Sequence, residues 1–185
     1  MRTAVLDANV LYGAFGRDVL LRLAAAGLYR PRWTARIEAE WTGALLDAQS
    51  DPTPAQVART CRAMAQAFPD APVEGYERHE AALSLPDPDD RHVLAAAVEA
   101  EAGEVVTWNL DDFPDAALRP LGVEAVSPDT FVGSMIETDR DRVAVVLRSH
   151  RAQLERPPLT AAEYLRYMAN VGLVATADAL EAEPL

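Results

Sequence analysis

Two clusters of acids, separated by one short apolar helix and one apolar strand, most constrain what this chain can become. The stretch from Pro86 to Pro114 reads PDPDDRHVLAAAVEAEAGEVVTWNLDDFP. Asp87, Asp89 and Asp90 come first; Val93, Ala96, Ala97 and Ala100 then recur at helical spacing, which predicts a helix with an acidic first turn. Gly103 is expected to end that helix. Glu104–Thr107 reads as a short buried strand, followed by a second polar cluster of Asn109, Asp111 and Asp112. In a βαβ arrangement, helix starts and strand C-termini share one edge of the sheet, where ligands bind. Both clusters are therefore expected on one edge, and like charges gathered there call for a cation to neutralise them.

The first residues repeat the pattern. Thr3–Leu6 is an apolar run suited to a central parallel strand, and it stops at Asp7-Ala8-Asn9 before Val10, Leu11 and Ala14 resume at helical spacing. Asp7 at that junction is either a helix cap or a ligand. Asp18–Ala26 continues as helix, with Gly27 as its left-handed stop. Leu28–Trp33 reads as a strand in which Pro31 points to an edge. Thr34 is the expected cap of a helix over Ala35–Ala48 that buries Ile37, Trp41, Ala44 and Leu45. Glu40 adjoins that apolar stripe, where a carboxylate is either solvated, paired or bound to a cation. Helices are expected over Ala55–Phe68 and Tyr76–Leu83, a loop over Ser50–Pro54, and a last strand at Val123–Val126.

From Ser127 the texture becomes helical throughout. Ser127-Pro128 is a cap followed by proline at the first helical position. Thr138-Asp139 reads as a second start, with Val143, Val146, Leu147, His150 and Leu154 on one face. Pro157-Pro158 breaks the chain, and Thr160–Glu163 is a capping box. The reading is an α/β body over 1–126 with an all-helical extension over 127–185.

Composition narrows the function. The 185 residues carry a net charge of −12, which as a whole disfavours phosphate binding through basic surface. The distribution matters more: all 17 basic residues are arginine, and five of them fall between Arg17 and Arg36 with Asp18 as the sole acid. Between Asp87 and Asp115, nine acids face one arginine. An acidic patch beside an arginine-rich flank suits a nucleic acid approached through metal ions. Cys61 is alone and reads as a small core residue in a reducing cytoplasm. No apolar run approaches the ~20 residues of a membrane span, and the N-terminus lacks the features of a signal peptide.

Asp7, Glu40, Asp90 and Asp112 together offer an all-oxygen donor set of the kind Mg²⁺ or Mn²⁺ takes. His79, His92 and His150 have no partners at zinc-ligand spacing, and His92 reads as a helix-surface histidine. The segments VLDANVLYGA, TARIEAEW, DPDDRHVLAAA and VVTWNLDDFP resemble, in order and spacing, the PIN-domain family and its VapC-like toxins with a C-terminal helical extension. That resemblance implies a three-layer α/β fold with a short central parallel sheet flanked by helices. It also implies an endoribonuclease using one or two Mg²⁺ or Mn²⁺ ions and leaving 5′-phosphate and 3′-hydroxyl ends. Asp7, Glu40 and Asp90 match the first three acids of the family's site. The position after Trp108, often aspartate in the family, is Asn109 here, so Asp112 is the substitute and Asn109 a neutral ligand. Asn9 and Thr107 would support the acids or hold water, and Trp108 would either stack on a base or sit in the core. An antitoxin partner and a homodimer follow from the same resemblance. Two other readings stand beside it. A receiver-type phosphotransfer domain would need a lysine, and the chain has none. A PIN module that has lost catalysis and only binds RNA or a partner is the alternative that Asn109 keeps open.

Overall fold

The computed structural model describes residues 1–48, 52–154 and 158–181. The expected loop at Ser50–Pro54 and the Pro157-Pro158 break lie partly outside these. In chain order the elements are β1 (Thr3–Leu6), α1 (Ala8–Tyr12), α2 (Ala14–Ala25), β2 (Arg30–Arg32), α3 (Ala35–Asp47), α4 (Pro54–Ala67) and α5 (Glu77–Glu80). There follow α6 (Arg91–Glu99), β3 (Glu104–Val106), α7 (Asp115–Leu118), β4 (Glu124–Val126), α8 (Pro128–Gln153), α9 (Ala161–Asn170) and α10 (Val174–Ala179).

The four strands form one parallel sheet in the order β2-β1-β3-β4. Ala4, Val5 and Leu6 of β1 and Val105 and Val106 of β3 have no exposed surface, because helices cover both faces of a parallel sheet. Burying each of the larger side chains contributes about 1.5–3 kcal/mol, so these two strands anchor the fold. Pro31 lies on the edge strand, where a missing N–H is tolerated. The chain leaves β1 for β2 on one side and later returns to β3 on the other. The order therefore reverses between β1 and β3, and the crevice beyond their C-terminal ends is where such a sheet binds ligands.

The helix starts follow their caps. Thr34 accepts the Ile37 N–H at 3.1 Å, and Ser127 accepts that of Thr130 at 3.1 Å with Pro128 next to it. Thr53–Gln56 and Thr160–Glu163 close capping boxes. Gly27, at φ +74, ends α2 as expected.

Several local expectations differ from the structure. The helix over Tyr76–Leu83 is reduced to Glu77–Glu80. In α3, Ile37 and Trp41 are buried and Leu45 is partly buried against the core, but Ala44 is exposed. Gly103 does not terminate α6: the helix stops at Glu99, and Glu101 takes the left-handed turn at φ +49. Ala102 then hydrogen-bonds back to Ala97 and is drawn into the core at 3% exposure, which places the turn before the glycine. The expected start at Thr138-Asp139 is present: Asp139, at φ −150 and ψ 63, leaves helical geometry and divides α8 into two helices across a kink.

The core runs without a break into the helical extension. Tyr29 meets Phe131 edge-on at 4.8 Å between ring centres. Phe15 contacts the rings of His150, Tyr164 and Tyr167 at 5.1, 5.6 and 4.7 Å. The Asp129 carboxylate accepts the backbone N–H groups of Ala175 and Thr176 at 2.9 and 2.8 Å, tying the start of α10 to α8. Cys61 is partly buried against this core. Among the described residues no helix is long and apolar enough to cross a membrane.

Candidate functional site

Asp7 is the residue on which the β1–β3 crevice closes. It follows β1 directly and its backbone N–H still bonds to Val106 of β3 at 3.1 Å, so strand pairing fixes its Cα. Its side chain is 6% exposed and accepts three hydrogen bonds: from the Ala8 N–H at 2.6 Å, from Asn9 Nδ2 at 2.7 Å and from Thr107 Oγ1 at 2.7 Å. Asn9 Nδ2 also reaches Thr107 Oγ1 at 2.9 Å, while its Oδ1 accepts the Trp108 N–H at 3.1 Å. Of the two readings of Asp7, the structure shows the cap: its carboxylate closes the start of α1 at the crevice. Burial, the largest effect, pushes the Asp7 carboxyl above its ordinary range; the three hydrogen bonds oppose that rise and Asp112 adds to it.

The other acids gather around Asp7 from three further elements. Asp90 stands in a tight turn of Pro88–Asp90 at the head of α6, and Asp87 caps that turn by accepting the Asp89 N–H at 2.8 Å. The Asp90 carboxyl is pushed up to about 6 by burial and by repulsion from Asp7, Asp112, Asp87 and Glu40. Asp112 lies in the turn after β3, where Asn109 Nδ2 donates to its Oδ2 and the Asn109 N–H is held by Thr107 Oγ1 at 3.0 Å. Glu40 projects from α3; burial, then Asp7 and Asp89, raise it, and Arg36 works in the opposite sense. Asp7, Asp90 and Glu40 therefore sense one another's charge, and the charge of Asp112 acts on Asp7 and Asp90. Asn9 and Thr107 touch Asp7, and Asn109 touches Asp112.

Among the described residues no three acids, histidines or cysteines close into a cage around a metal position. The set nonetheless fits a hard divalent cation, which keeps several waters and needs only one or two carboxylates. Its donors are oxygens, and their mutual repulsion, read in Asp90, is what a cation relieves.

Two residues at the site depart from expectation. His92 is not on the helix surface: it is 2% exposed, and its Nε2 lies 3.1 Å from Glu40 Oε1. Trp108 is 42% exposed rather than in the core. It rests against Gly172 in the turn between α9 and α10, where a Cβ would come within 2.8 Å of its six-membered ring. Sequence reasoning also missed Arg36, which reaches Glu40 at 3.1 Å and the Asp89 carbonyl at 3.2 Å; their i,i+4 spacing was the available signal. The arginine-rich flank is engaged internally: Arg17 stacks over Trp41 and donates to the Leu11 carbonyl, and Arg22 pairs with Asp18.

A sequence model of the PIN domain matches residues 3–111, more than half of the chain. The chain belongs to the PIN-domain family. That span includes the acids Asp7, Glu40 and Asp90 and ends just before Asp112. A second model, the VapC50 C-terminal domain, matches residues 128–182, the helical extension. One curated relative, named putative ribonuclease VapC50 from Mycobacterium tuberculosis (strain ATCC 25618 / H37Rv), is 43% identical over 72 residues. The match covers 38% of this chain and 42% of that protein, so the two share less than half their lengths. No solved structure matches the chain.

Proposed function

We propose that this PIN protein is a metal-dependent endoribonuclease that hydrolyses RNA phosphodiesters to 5′-phosphate and 3′-hydroxyl ends, and that it is the toxin of a type II toxin–antitoxin pair. The observation that carries this reading is the Asp7 carboxylate, buried at the β1–β3 crevice with Asp90, Asp112 and Glu40 within electrostatic range. The relative's printed name supports the ribonuclease assignment. In this reading residues 1–126 form the nuclease and 127–185 an extension, working in the cytoplasm as a homodimer with a cognate antitoxin.

Asp7 and Asp90 are the principal holders of Mg²⁺ or Mn²⁺, with Glu40 beside them and Asp112, backed by Asn109, facing a second ion. When bound, such an ion polarises the phosphodiester and makes a water more acidic. Thr107, Asn9 and the Ala8 N–H fix both oxygens of Asp7, so its geometry is set before substrate arrives. Glu40 accepts the proton of the attacking water as the water oxygen bonds to phosphorus, and the 3′ oxygen leaves and takes a proton from solvent to become the 3′-hydroxyl. A rise in the Glu40 carboxyl suits it to that transfer. Trp108, half-exposed beside Asn9, offers a face on which a base stacks.

The test is cleavage of a structured RNA pool by the purified, antitoxin-free chain in Mg²⁺, Mn²⁺ and EDTA. Wild type is expected to cut only with metal and to leave 5′-phosphate ends, and Asp7→Asn and Asp90→Asn to be silent. Metal-independent binding of RNA without cuts would leave the module that binds without catalysis as the better reading.

A further inference from the structure

His92 is a buried titratable residue for which the proposed reaction has no use. It leaves α6 two residues after Asp90 and crosses to α3, ending with Nε2 3.1 Å from Glu40 Oε1. Its Nδ1 is buried with no hydrogen-bond partner. Nε2 is the ring nitrogen that approaches an acceptor, so a proton placed there faces Glu40 Oε1. Arg36 approaches Glu40 from within α3, its Nε 3.1 Å from the same Oε1. Both contacts fall on one oxygen.

We propose that His92 is a positioning residue for Glu40: with Arg36 it grips Oε1 and so presents Oε2 to the cation and water held by Asp7 and Asp90. This rests on the metal-dependent reading above and adds to it a named residue outside the acidic set. The burial explains the choice of histidine. Glu40 is on an otherwise exposed turn of α3, its side chain 39% exposed, and an exposed glutamate samples several rotamers. A rigid ring rising from the same helix that begins at Asp90 ties the position of one acid to that of another. A mobile donor such as a surface lysine would not give that linkage.

The experiment is a double-mutant cycle read by Mn²⁺ binding, with the metal alone as the probe and calorimetry as the readout. His92→Leu fills the site without a donor, and His92→Gln restores an N–H near the position of Nε2. Loss of a group supporting a metal ligand typically weakens metal affinity about 10–100-fold, so His92→Leu is expected to weaken Mn²⁺ binding about tenfold, with His92→Gln recovering most of it. In a Glu40→Gln background, His92→Leu is expected to add less than about twofold, because its effect passes through Glu40. RNA cleavage should lose kcat with KM nearly unchanged. Wild-type Mn²⁺ affinity in His92→Leu, or an equal loss with and without Glu40, would overturn the proposal while leaving the nuclease reading intact. A wild-type chain that binds no Mn²⁺ at all would overturn both. A general folding defect would lower the melting temperature of His92→Leu and His92→Gln alike, and equal losses of affinity in the two would count against positioning.

Discussion

At the scale of single residues, the acids of the crevice cost the fold stability through their burial and mutual repulsion. Asp90 is raised to about 6 because it is partly buried among Asp7, Asp112, Asp87 and Glu40. A carboxyl whose folded value lies above its unfolded one favours folding in its protonated form. Its contribution is fully present below the unfolded value near 4 and is lost as pH rises through about 6. Asp90→Asn, neutral at every pH, is therefore expected to be more stable than wild type at pH 7.5, with the gain fading as pH falls from about 6 to about 4. Solvent screening at this half-exposed position limits the gain to about 1 kcal/mol or less. Urea melts of both proteins at pH 4, 6 and 7.5 test this; equal midpoints at pH 7.5 would mean the repulsion is already relieved by other means. Mg²⁺ offers a second check. If the acids hold a cation, added Mg²⁺ raises the wild-type midpoint more than that of Asp90→Asn, since binding to the folded state alone stabilises it. Asp7→Asn has a different balance: it removes charge but leaves an NH₂ group facing donors from Asn9, Thr107 or Ala8. A donor facing a donor in a buried site costs about 1–3 kcal/mol, so that variant is expected to melt lower than wild type and lower than Asp90→Asn.

At the scale of elements, what could be read from sequence was what lies within one element. Strand β1 is an uninterrupted apolar run, and the caps Thr34, Ser127 and Thr160 announce their helices, because those signals are local. The acidic clusters flanking α6 and β3 were also legible, since each strand or helix end brings its own acid to the edge. What escaped depends on contacts between elements. His92 has the same sequence neighbourhood as a surface histidine, and only the placing of α6 among its neighbours buries it. Glu101 occupies a left-handed turn that local preference assigns to Gly103, because core burial of Ala102 outweighs that preference. Trp108 reads as apolar, yet its ring lies on Gly172, some sixty positions away. That last contact gives a prediction for the α9–α10 turn. Gly172 has φ +95 and its absent Cβ would stand 2.8 Å from the Trp108 ring, so Gly172→Ala meets both backbone strain and a clash. The strain alone costs about 1–3 kcal/mol. The expected result is a lower melting temperature together with a red-shifted tryptophan emission as Trp108 is displaced into water. If the emission is unchanged, the turn does not hold Trp108 in place.

At the scale of the whole molecule, the question is whether the extension is an appendage or part of the fold. The family matches divide the chain between residues 111 and 128, but the packing does not stop there. Phe131, Leu147 and Tyr164 belong to the same buried cluster as Leu6, Val19 and Val106. A polar seam joins the two parts as well: His150 Nε2 is 3.0 Å from Asp18 of α2, and His150 Nδ1 is 2.8 Å from the Tyr164 hydroxyl. Burial tends to raise the Asp18 carboxyl, but hydrogen bonds with His150 and Arg22 outweigh it, leaving Asp18 below its ordinary range. The sign is opposite to that of Asp90. A lowered carboxyl stabilises the fold above its unfolded value near 4, and that stability is lost as pH falls through its folded value. Acid should therefore loosen the extension while it relieves the crevice. Asp18→Asn is expected to be less stable than wild type at pH 7 and to lose that disadvantage as pH falls through the lowered Asp18 value. A stronger consequence follows for a chain cut after Val126. It would expose Tyr29, now met by Phe131 of α8, and Phe15, now met by His150 of α8 and by Tyr164 and Tyr167 of α9, and newly exposed apolar surface binds hydrophobic dyes and aggregates. Residues 1–126 alone are expected to bind such a dye and to lack a sharp thermal transition, whereas the full chain melts in one step. A cooperative melt of the isolated 1–126 segment would instead make the extension a separable module, its contacts with α2 adding affinity rather than completing the core.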